Sequence, residues 1–334
     1  MSDVRIGVIG CGYWGPNIIR NFAESEGASV VRVCDVDASR LEPISRRYPA
    51  VDCTTDASEV IGARDVDAVA VVTPVSTHYD LASKALAAGQ HVFVEKPITA
   101  DPAQAELLCD VAEKKGLTLM VGHVFEYSPA VTTAKDLLPS CGKVYYVDSS
   151  RVNLGLHQSD ISVLWDLAPH DMSIILYWLG AEPVAVHAVG ECYAQPGIED
   201  VVFVTMRFAD SMIAHVHVSW LAPSKLRRTT IVGSRKMLVY EDTQSVEKVK
   251  VYDRGVSFKN TEDYRRFLPE YRSGDIVSPH VATSEPLRIE CGHFIECVRS
   301  GDTPRSDGRS GLRVVRVLAA ADRSLKNEGK AVRL

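Results

Sequence analysis

No stretch of this chain approaches the roughly 20 consecutive apolar residues that a helix needs to cross a bilayer, so no membrane partner is expected. It has no Cys-x-x-Cys pair. Its eight cysteines, at positions 11, 34, 53, 109, 141, 192, 291 and 297, are scattered, and the Cys291/Cys297 spacing fits no zinc site. They read as reduced, mostly buried thiols, with no metal expected. There is no excess of positive charge. A formal net charge of −6 argues against a general binder of nucleic acid or anionic lipid. Internal repeats and low-complexity tracts are missing too. The opening Met1-Ser2-Asp3-Val4-Arg5 lacks the basic segment and long apolar core of a secretory leader, so a cytoplasmic protein is expected.

What remains is a chain of 334 residues, 46% hydrophobic and 24% charged, which at roughly 100–200 residues per domain predicts two domains. The first 123 residues alternate short apolar runs with segments of helical spacing. Strands are expected at Val4–Ile9, Ser29–Cys34, Val51–Cys53, Ala68–Val72, His91–Val94 and Thr118–Val121. Helices are expected at Pro16–Glu24, Ala38–Arg47, Thr77–Ala88 and Pro102–Lys115. Continuously apolar strands separated by helices imply a parallel sheet covered on both faces.

After His123 the pattern changes. Helices are expected at Pro129–Leu138 and Leu164–Leu179, then a series of strands between Val184 and Val251, with Lys143–Val152 a long strand before them. In Ile213–Trp220, His215, His217 and Ser219 alternate with Val216, Val218 and Trp220, the period of a half-buried strand. Asp253–Pro286 is polar and reads as a long functional loop. Two helices, Leu287–Arg299 and Gly311–Lys326, close the chain. The fold class is therefore α/β: a doubly wound parallel sheet over residues 1–123, followed over 124–334 by an α+β domain with an open, mainly antiparallel sheet that binds substrate and oligomerises.

Gly10-Cys11-Gly12-Tyr13-Trp14-Gly15 sits between the first strand and the first helix. That context turns a common glycine pattern into a dinucleotide-binding turn of the Rossmann type. Gly10 permits the tight turn, Gly12 lets a pyrophosphate approach the backbone, and Gly15 lets helix and strand pack closely. Unpaired N–H groups at the helix start favour phosphate. Asp35 closes the second strand, 20 residues after Gly15. Its carboxylate accepts hydrogen bonds from ribose hydroxyls and repels a 2′-phosphate, so NAD is expected over NADP.

Two further constellations carry chemistry. Glu95-Lys96-Pro97 follows the His91–Val94 strand, at the end of the sheet where ligands bind. Asp166 and His170 stand four residues apart in Trp165-Asp166-Leu167-Ala168-Pro169-His170-Asp171. On a helix they share a face, where a carboxylate can orient an imidazole. Pro169 disfavours helix at Ala168, so the regular helix is expected to begin near Pro169, with Asp166 in an irregular first turn.

The ordered set resembles the Gfo/Idh/MocA oxidoreductases (glucose–fructose oxidoreductase, inositol dehydrogenase and relatives). The resemblance runs over the whole chain. It includes the glycine turn, Val72-Thr73-Pro74 followed by His78, and Ala85-Leu86-Ala87-Ala88-Gly89-Gln90-His91-Val92 leading into Glu95-Lys96-Pro97. It continues with Asp166 and His170 and ends in His293-Phe294 through Gly301-Asp302-Thr303-Pro304. It implies that Lys96, Asp166 and His170 form the catalytic set and that Gly10, Gly12, Gly15 and Asp35 bind NAD. It also implies that Thr73, Pro74 and His78 line the cofactor cleft and that Glu95 approaches the nicotinamide ribose. Tyr13, Trp14, Lys96 and Trp165 complete the expected cofactor contacts.

Many relatives carry glycine between the Asp and the His. Ala168-Pro169 instead resembles a subgroup that oxidises the 3-hydroxyl of UDP-N-acetyl-hexosamines or -hexosaminuronates. A second departure, His123-Val124-Phe125-Glu126-Tyr127, puts the substrate contacts in doubt. Candidates for those contacts are Tyr127, Arg151, Asn153 and His157, with His170. Lys225, Arg227 and Arg228, or Arg265, Arg266 and Arg272, are candidates for holding a diphosphate, with a solvated basic patch as the commoner explanation. The expected function is oxidation of a ring hydroxyl of a sugar or sugar nucleotide. Inositol, a free sugar or an aminoglycoside unit is the alternative substrate. A non-catalytic NAD sensor and an NAD-dependent glycosidase remain open. A homodimer or homotetramer is expected.

Overall fold

The computed structural model describes residues 3–155, 158, 161–257, 267 and 269–334. The chain forms two compact units. The first comprises residues 1–127 and 284–319, the second residues 128–283 and 320–334.

The first unit holds a six-stranded parallel sheet in the order β3-β2-β1-β4-β5-β6. Its strands are β1 (Val4–Ile9), β2 (Ala28–Cys34), β3 (Asp52–Thr54), β4 (Ala68–Val71), β5 (His91–Glu95) and β6 (Leu119–Gly122). Helices α1 (Gly15–Glu24), α2 (Ala38–Arg47), α3 (His78–Ala87) and α4 (Pro102–Lys115) connect them. β4 is buried at every position, as a strand covered on both faces must be. The strand order reverses between β1 and β4, and that switch point opens a crevice at their carboxyl ends.

The closing helix α7 (Pro286–Ser300) groups with this unit, so the chain does not divide cleanly at residue 123. The reason is apolar. Leu287, Cys291, Phe294 and Ile295 of α7 are buried in one cluster with Val4, Ile6 and Phe22. Phe22, Phe93 and Phe294 meet edge to face, with centroids 5.8–5.9 Å apart. The boundary to the second unit falls inside the last helix, α8 (Gly308–Leu325).

The second unit is a nine-stranded sheet in the order β14-β13-β12-β11-β7-β10-β9-β8-β15. Its strands are β7 (Val144–Val152), β8 (Ala185–Glu191), β9 (Val201–Arg207), β10 (Ile213–Ser219), β11 (Leu226–Gly233), β12 (Met237–Glu241), β13 (Val249–Ser257), β14 (Glu270–Val277) and β15 (Val332–Arg333). Every pairing is antiparallel except β7 with β10. Helices α5 (Pro129–Cys141) and α6 (Val163–Leu179) belong to this unit and pack against the sheet. Val216, Val218 and Trp220 are buried as their alternation predicts. The region expected as one long loop after Asp253 instead continues β13 and adds β14. All eight residues of β14 are exposed, so no apolar alternation announced it.

All eight cysteines are unpaired. Among the described residues no helix is long and apolar enough to cross a membrane, and no group of His, Cys, Asp and Glu is arranged to hold a metal ion. Replacing Phe294 with Ala should lower the unfolding free energy by about 3–5 kcal/mol, read from urea midpoints. A loss under about 1 kcal/mol, typical of surface positions, would mean that α7 is not part of this core.

Candidate active site

The glycine turn is set by steric contacts. Gly10 has φ +107°, and a Cβ there would lie 2.2 Å from the Val72 carbonyl oxygen. No side chain fits. A Cβ on Gly15 would lie 2.3 Å from the Gly10 carbonyl oxygen, so the third glycine serves helix–turn packing. Gly12 differs: the nearest atom to its notional Cβ is the Arg40 Nη1, 3.8 Å away, so its backbone faces open space.

The start of α1 has no side-chain cap and no acidic residue in its first turn. By contrast α2 and α4 are capped by Asp37 and Asp101. α1 therefore leaves the partial positive charge of its N-terminus uncompensated and open to an anion. Asp35 is buried to 6% exposure, and its Oδ2 accepts the Cys11 N–H at 2.6 Å while Oδ1 accepts the Asp37 N–H at 2.9 Å. The Arg40 Nη1 stands 3.8 Å from the same carboxylate.

These residues border a cleft of about 710 Å³ in the first unit, with Gly10, Gly12, Tyr13, Asp35, Thr73 and Pro74 on its walls. Thr77, Asp80, Leu81 and Lys84 close it from α3 and the turn before it. Sequence analysis did not single out these four, although their spacing of three, four and seven marks one helix face. NAD fits this cleft. Its pyrophosphate matches the bare backbone at Gly12 and the uncapped helix, and its ribose hydroxyls match the Asp35 carboxylate.

His78 is placed differently from expectation. It is buried to 1% exposure and is not on the cleft wall. Its Nδ1 lies 2.8 Å from the Pro97 carbonyl oxygen and its Nε2 2.8 Å from that of Thr73. The ring thus ties the turn after β4 to the turn after β5, because two backbone acceptors needed a nearby donor. Burial pushes its pKa down, so a neutral ring donates to one carbonyl at a time.

Glu95 ends β5, Lys96 follows it, and the Lys96–Pro97 peptide is cis. Burial pushes the Glu95 carboxyl up to about 7, against the opposing pull of the Lys96 charge, the Lys96 N–H and a hydrogen bond from the Trp14 side chain. The partner of Glu95 in the β5–β6 register is Gly122, where a Cβ would lie 3.0 Å from the carboxyl group. His123, next in line, is fully enclosed, and neither ring nitrogen has a hydrogen-bond partner. Its pKa falls to about 3, first through burial and then through the Lys96 charge. Tyr127 was a candidate substrate contact. It is 1% exposed, with its hydroxyl 3.0 Å from the Ser306 Oγ and its ring 4.8 Å from the Arg305 guanidinium, so packing occupies it.

In the second unit α6 is helical from Val163, through Pro169, to Leu179. The Asp166 N–H already bonds the Ser162 carbonyl at 3.1 Å, so the first turn is regular rather than irregular as expected. Four residues apart on a continuous helix, Asp166 and His170 stand on the same face. The Asp166 Oδ2 accepts the Trp220 indole N–H at 3.2 Å. Trp165 is half-buried on the same helix.

Arg151, another expected substrate contact, is 3% exposed and paired with Asp171 at 2.5 Å. It faces inward because β7 side chains alternate, and position 151 falls on the face under α6. Asn153 is half-buried at the end of β7, its N–H bonded to the Ser219 carbonyl at 3.1 Å. His157 lies outside the described residues, as do Arg265 and Arg266. Arg227 pairs with Asp242 at 3.1 Å and Arg272 with Asp253 at 2.7 Å. Lys225 and Arg228 remain exposed.

Two family profiles match this chain. One, an oxidoreductase family with an NAD-binding Rossmann fold, covers residues 4–123. The other, the Gfo/Idh/MocA C-terminal domain, covers residues 145–239. The chain is 32% identical over 327 residues to UDP-N-acetylglucosamine 3-dehydrogenase of Acidithiobacillus ferrooxidans, across 96% of both chains. It is 27% identical to scyllo-inositol 2-dehydrogenase (NAD(+)) of Bacillus subtilis, across 90% of this chain and 88% of that one. A solved structure of the Acidithiobacillus ferrooxidans UDP-N-acetylglucosamine 3-dehydrogenase superposes with a TM-score of 0.83 at 25% identity, covering 99% of this chain and all of that one. With both profiles and a full-length relative in agreement, the chain belongs to the Gfo/Idh/MocA family of NAD-binding oxidoreductases.

Proposed function

We propose that the protein is an NAD-dependent dehydrogenase that oxidises the C3 hydroxyl of a sugar ring carried on a nucleotide. The observation that carries this reading is the 32% identity, across 96% of both chains, to an enzyme named for that reaction. Ala168-Pro169 within α6 supports it, as the variant of the motif expected of a sugar-nucleotide subgroup. The 27% identity to an inositol dehydrogenase supports a second reading, in which the substrate is a free polyol. The chemistry would be the same.

In this reaction the O–H and C–H bonds of a secondary alcohol break and a carbonyl forms. Bound NAD+ supplies the hydride acceptor. His170 takes the hydroxyl proton as general base. Asp166, on the same helical face, orients the imidazole and stabilises its protonated form. Lys96 donates a hydrogen bond to the reacting oxygen and stabilises its developing negative charge. Asp35 and the α1 N-terminus hold the cofactor.

The direct test is NADH formation with UDP-N-acetylglucosamine, free sugars and inositols as probes. His170→Ala should lower kcat by about 10²–10⁴-fold, as loss of a positioned base does, and Lys96→Ala should also impair turnover. Near wild-type turnover in both variants would sink the assignment. Asp35→Ser should weaken NAD binding at least about tenfold, the effect of roughly 1.4 kcal/mol, without a matching gain for NADP. Asp35 also holds the glycine turn, so a clean switch to NADP would contradict its dual role.

We also propose a homo-oligomer assembled through the outer face of the second unit's sheet. Tyr146, Phe203 and Ile213 are 46%, 38% and 42% exposed there, and apolar side chains gathered on one open face favour a partner. Sedimentation should show a dimer or tetramer at micromolar concentration. A monomer would overturn this.

A further inference from the structure

Asp171 follows His170 directly, but it is turned about 100° around α6 and points into the sheet. It is 3% exposed and held by two partners in a buried polar chain. Its Oδ2 accepts the Arg151 Nε–H at 2.5 Å, and its Oδ1 accepts the Ser149 hydroxyl at 2.8 Å. Ser149 in turn meets the Thr229 hydroxyl at 2.8 Å. Arg151 is equally buried, at 3%. β7 supplies Ser149 and Arg151, and β11 supplies Thr229, so the chain crosses two neighbouring strands.

This chain sits where α6 is weakest. Pro169 has no N–H for the Trp165 carbonyl, so one helical hydrogen bond is missing one residue before His170. The rest of the helix's buried surface is mostly apolar: Leu164, Met172, Ile174, Ile175 and Leu176. Apolar burial is non-directional, so a hydrogen-bonded ion pair adds a directional constraint on the helix's rotation. Such a buried pair contributes little net stability, but leaving either charge unpaired is costly, so it fixes one register. A rotation of α6 that moved His170 would drag Asp171 off both Arg151 and Ser149.

We propose that Arg151 and Asp171 are positioning residues that fix the rotation of α6 and thereby aim His170. This rests on the assignment of His170 as the general base. Arg151 then acts through Asp171 and the helix, not by touching the sugar. The charged and titratable neighbours of the pair are Tyr240 on β12, Asp242 just after it and Arg227 on β11.

The test is the charge-free double variant Arg151→Met/Asp171→Leu in the full chain, which leaves no orphaned charge and should unfold at or above the wild-type temperature. With NAD and UDP-N-acetylglucosamine, kcat should fall about 10- to 100-fold, the scale of a misplacement near 1 Å. KM and NAD affinity should stay within about threefold, an effect under 1 kcal/mol. The His170 imidazole NMR signal, assigned by its loss in His170→Ala, should titrate at a shifted pH. A folded double variant with wild-type kcat and an unmoved His170 titration overturns the proposal. If the double variant does not fold, Ser149→Ala decides by the same readouts: a severalfold loss in kcat supports the proposal and no change overturns it. The NMR titration needs no substrate. An enzyme inactive on every sugar probe therefore sinks the assignment of function and leaves the anchoring still measurable.

Discussion

The first unit depends on one close contact, that of Gly10 with the Val72 carbonyl oxygen, with no room for a side chain between them. β1 and β4 are neighbours, and the chain leaves them in opposite directions across the sheet. The crevice exists only if the turn after β1 stays flat against the end of β4. A side chain at position 10 would lift the turn and carry Gly12 and the start of α1 away from where a pyrophosphate is held. Gly15 repeats the constraint one step later, against the Gly10 carbonyl. Two of the three glycines therefore serve the protein's own backbone, and Gly12 alone of the three has open space beside it.

The second unit solves a different problem. Its catalytic candidates lie on a helix rather than at a strand end, and a helix on a sheet has softer degrees of freedom. Directional polar contacts supply what apolar packing does not. Trp220 donates to Asp166 from the sheet side, and Arg151 and Ser149 hold Asp171. Both contacts reach α6 on either side of Pro169, where its own hydrogen bonding is interrupted.

Much of this was legible in the sequence, for reasons that also explain the failures. Strands buried on both faces, such as Ala68–Val71, and caps such as Asp101 before Pro102 produce local signals. So did the three glycines and Asp35, because sterics and charge act within a few residues. What failed was non-local or concealed. α7 carries no mark saying that it returns to the first unit, since Phe294 would suit any core. β14 is exposed throughout and so has no period. The resemblance put His78 on the cleft wall, and Tyr127 and Arg151 were candidate substrate contacts. Each is buried against a partner that sequence spacing could not supply: two carbonyls for His78, Ser306 and Arg305 for Tyr127, Asp171 for Arg151. The cleft-facing residues of α3 and the turn before it, Thr77, Asp80, Leu81 and Lys84, share one helix face, but mixed polar and apolar types at that spacing carry no motif.

Asp35 shows why cofactor choice in this chain is hard to separate from the fold. Its carboxylate binds the Cys11 N–H inside the glycine turn and the Asp37 N–H at the start of α2. Those bonds fix the side chain at the cleft wall before any ligand arrives. A carboxylate held there offers acceptors to ribose hydroxyls and leaves no donor for a phosphate in the same place. Arg40, at 3.8 Å, is near enough to supply one, yet it also leans toward Asp37 at 3.4 Å. Its charge is shared between two carboxylates and is only partly available to an incoming phosphate. Removing Asp35 would free Arg40 but leave the Cys11 N–H without its acceptor, and a buried unsatisfied donor costs about 1–3 kcal/mol. Any change at Asp35 would therefore also disturb the contact that holds the glycine turn in place.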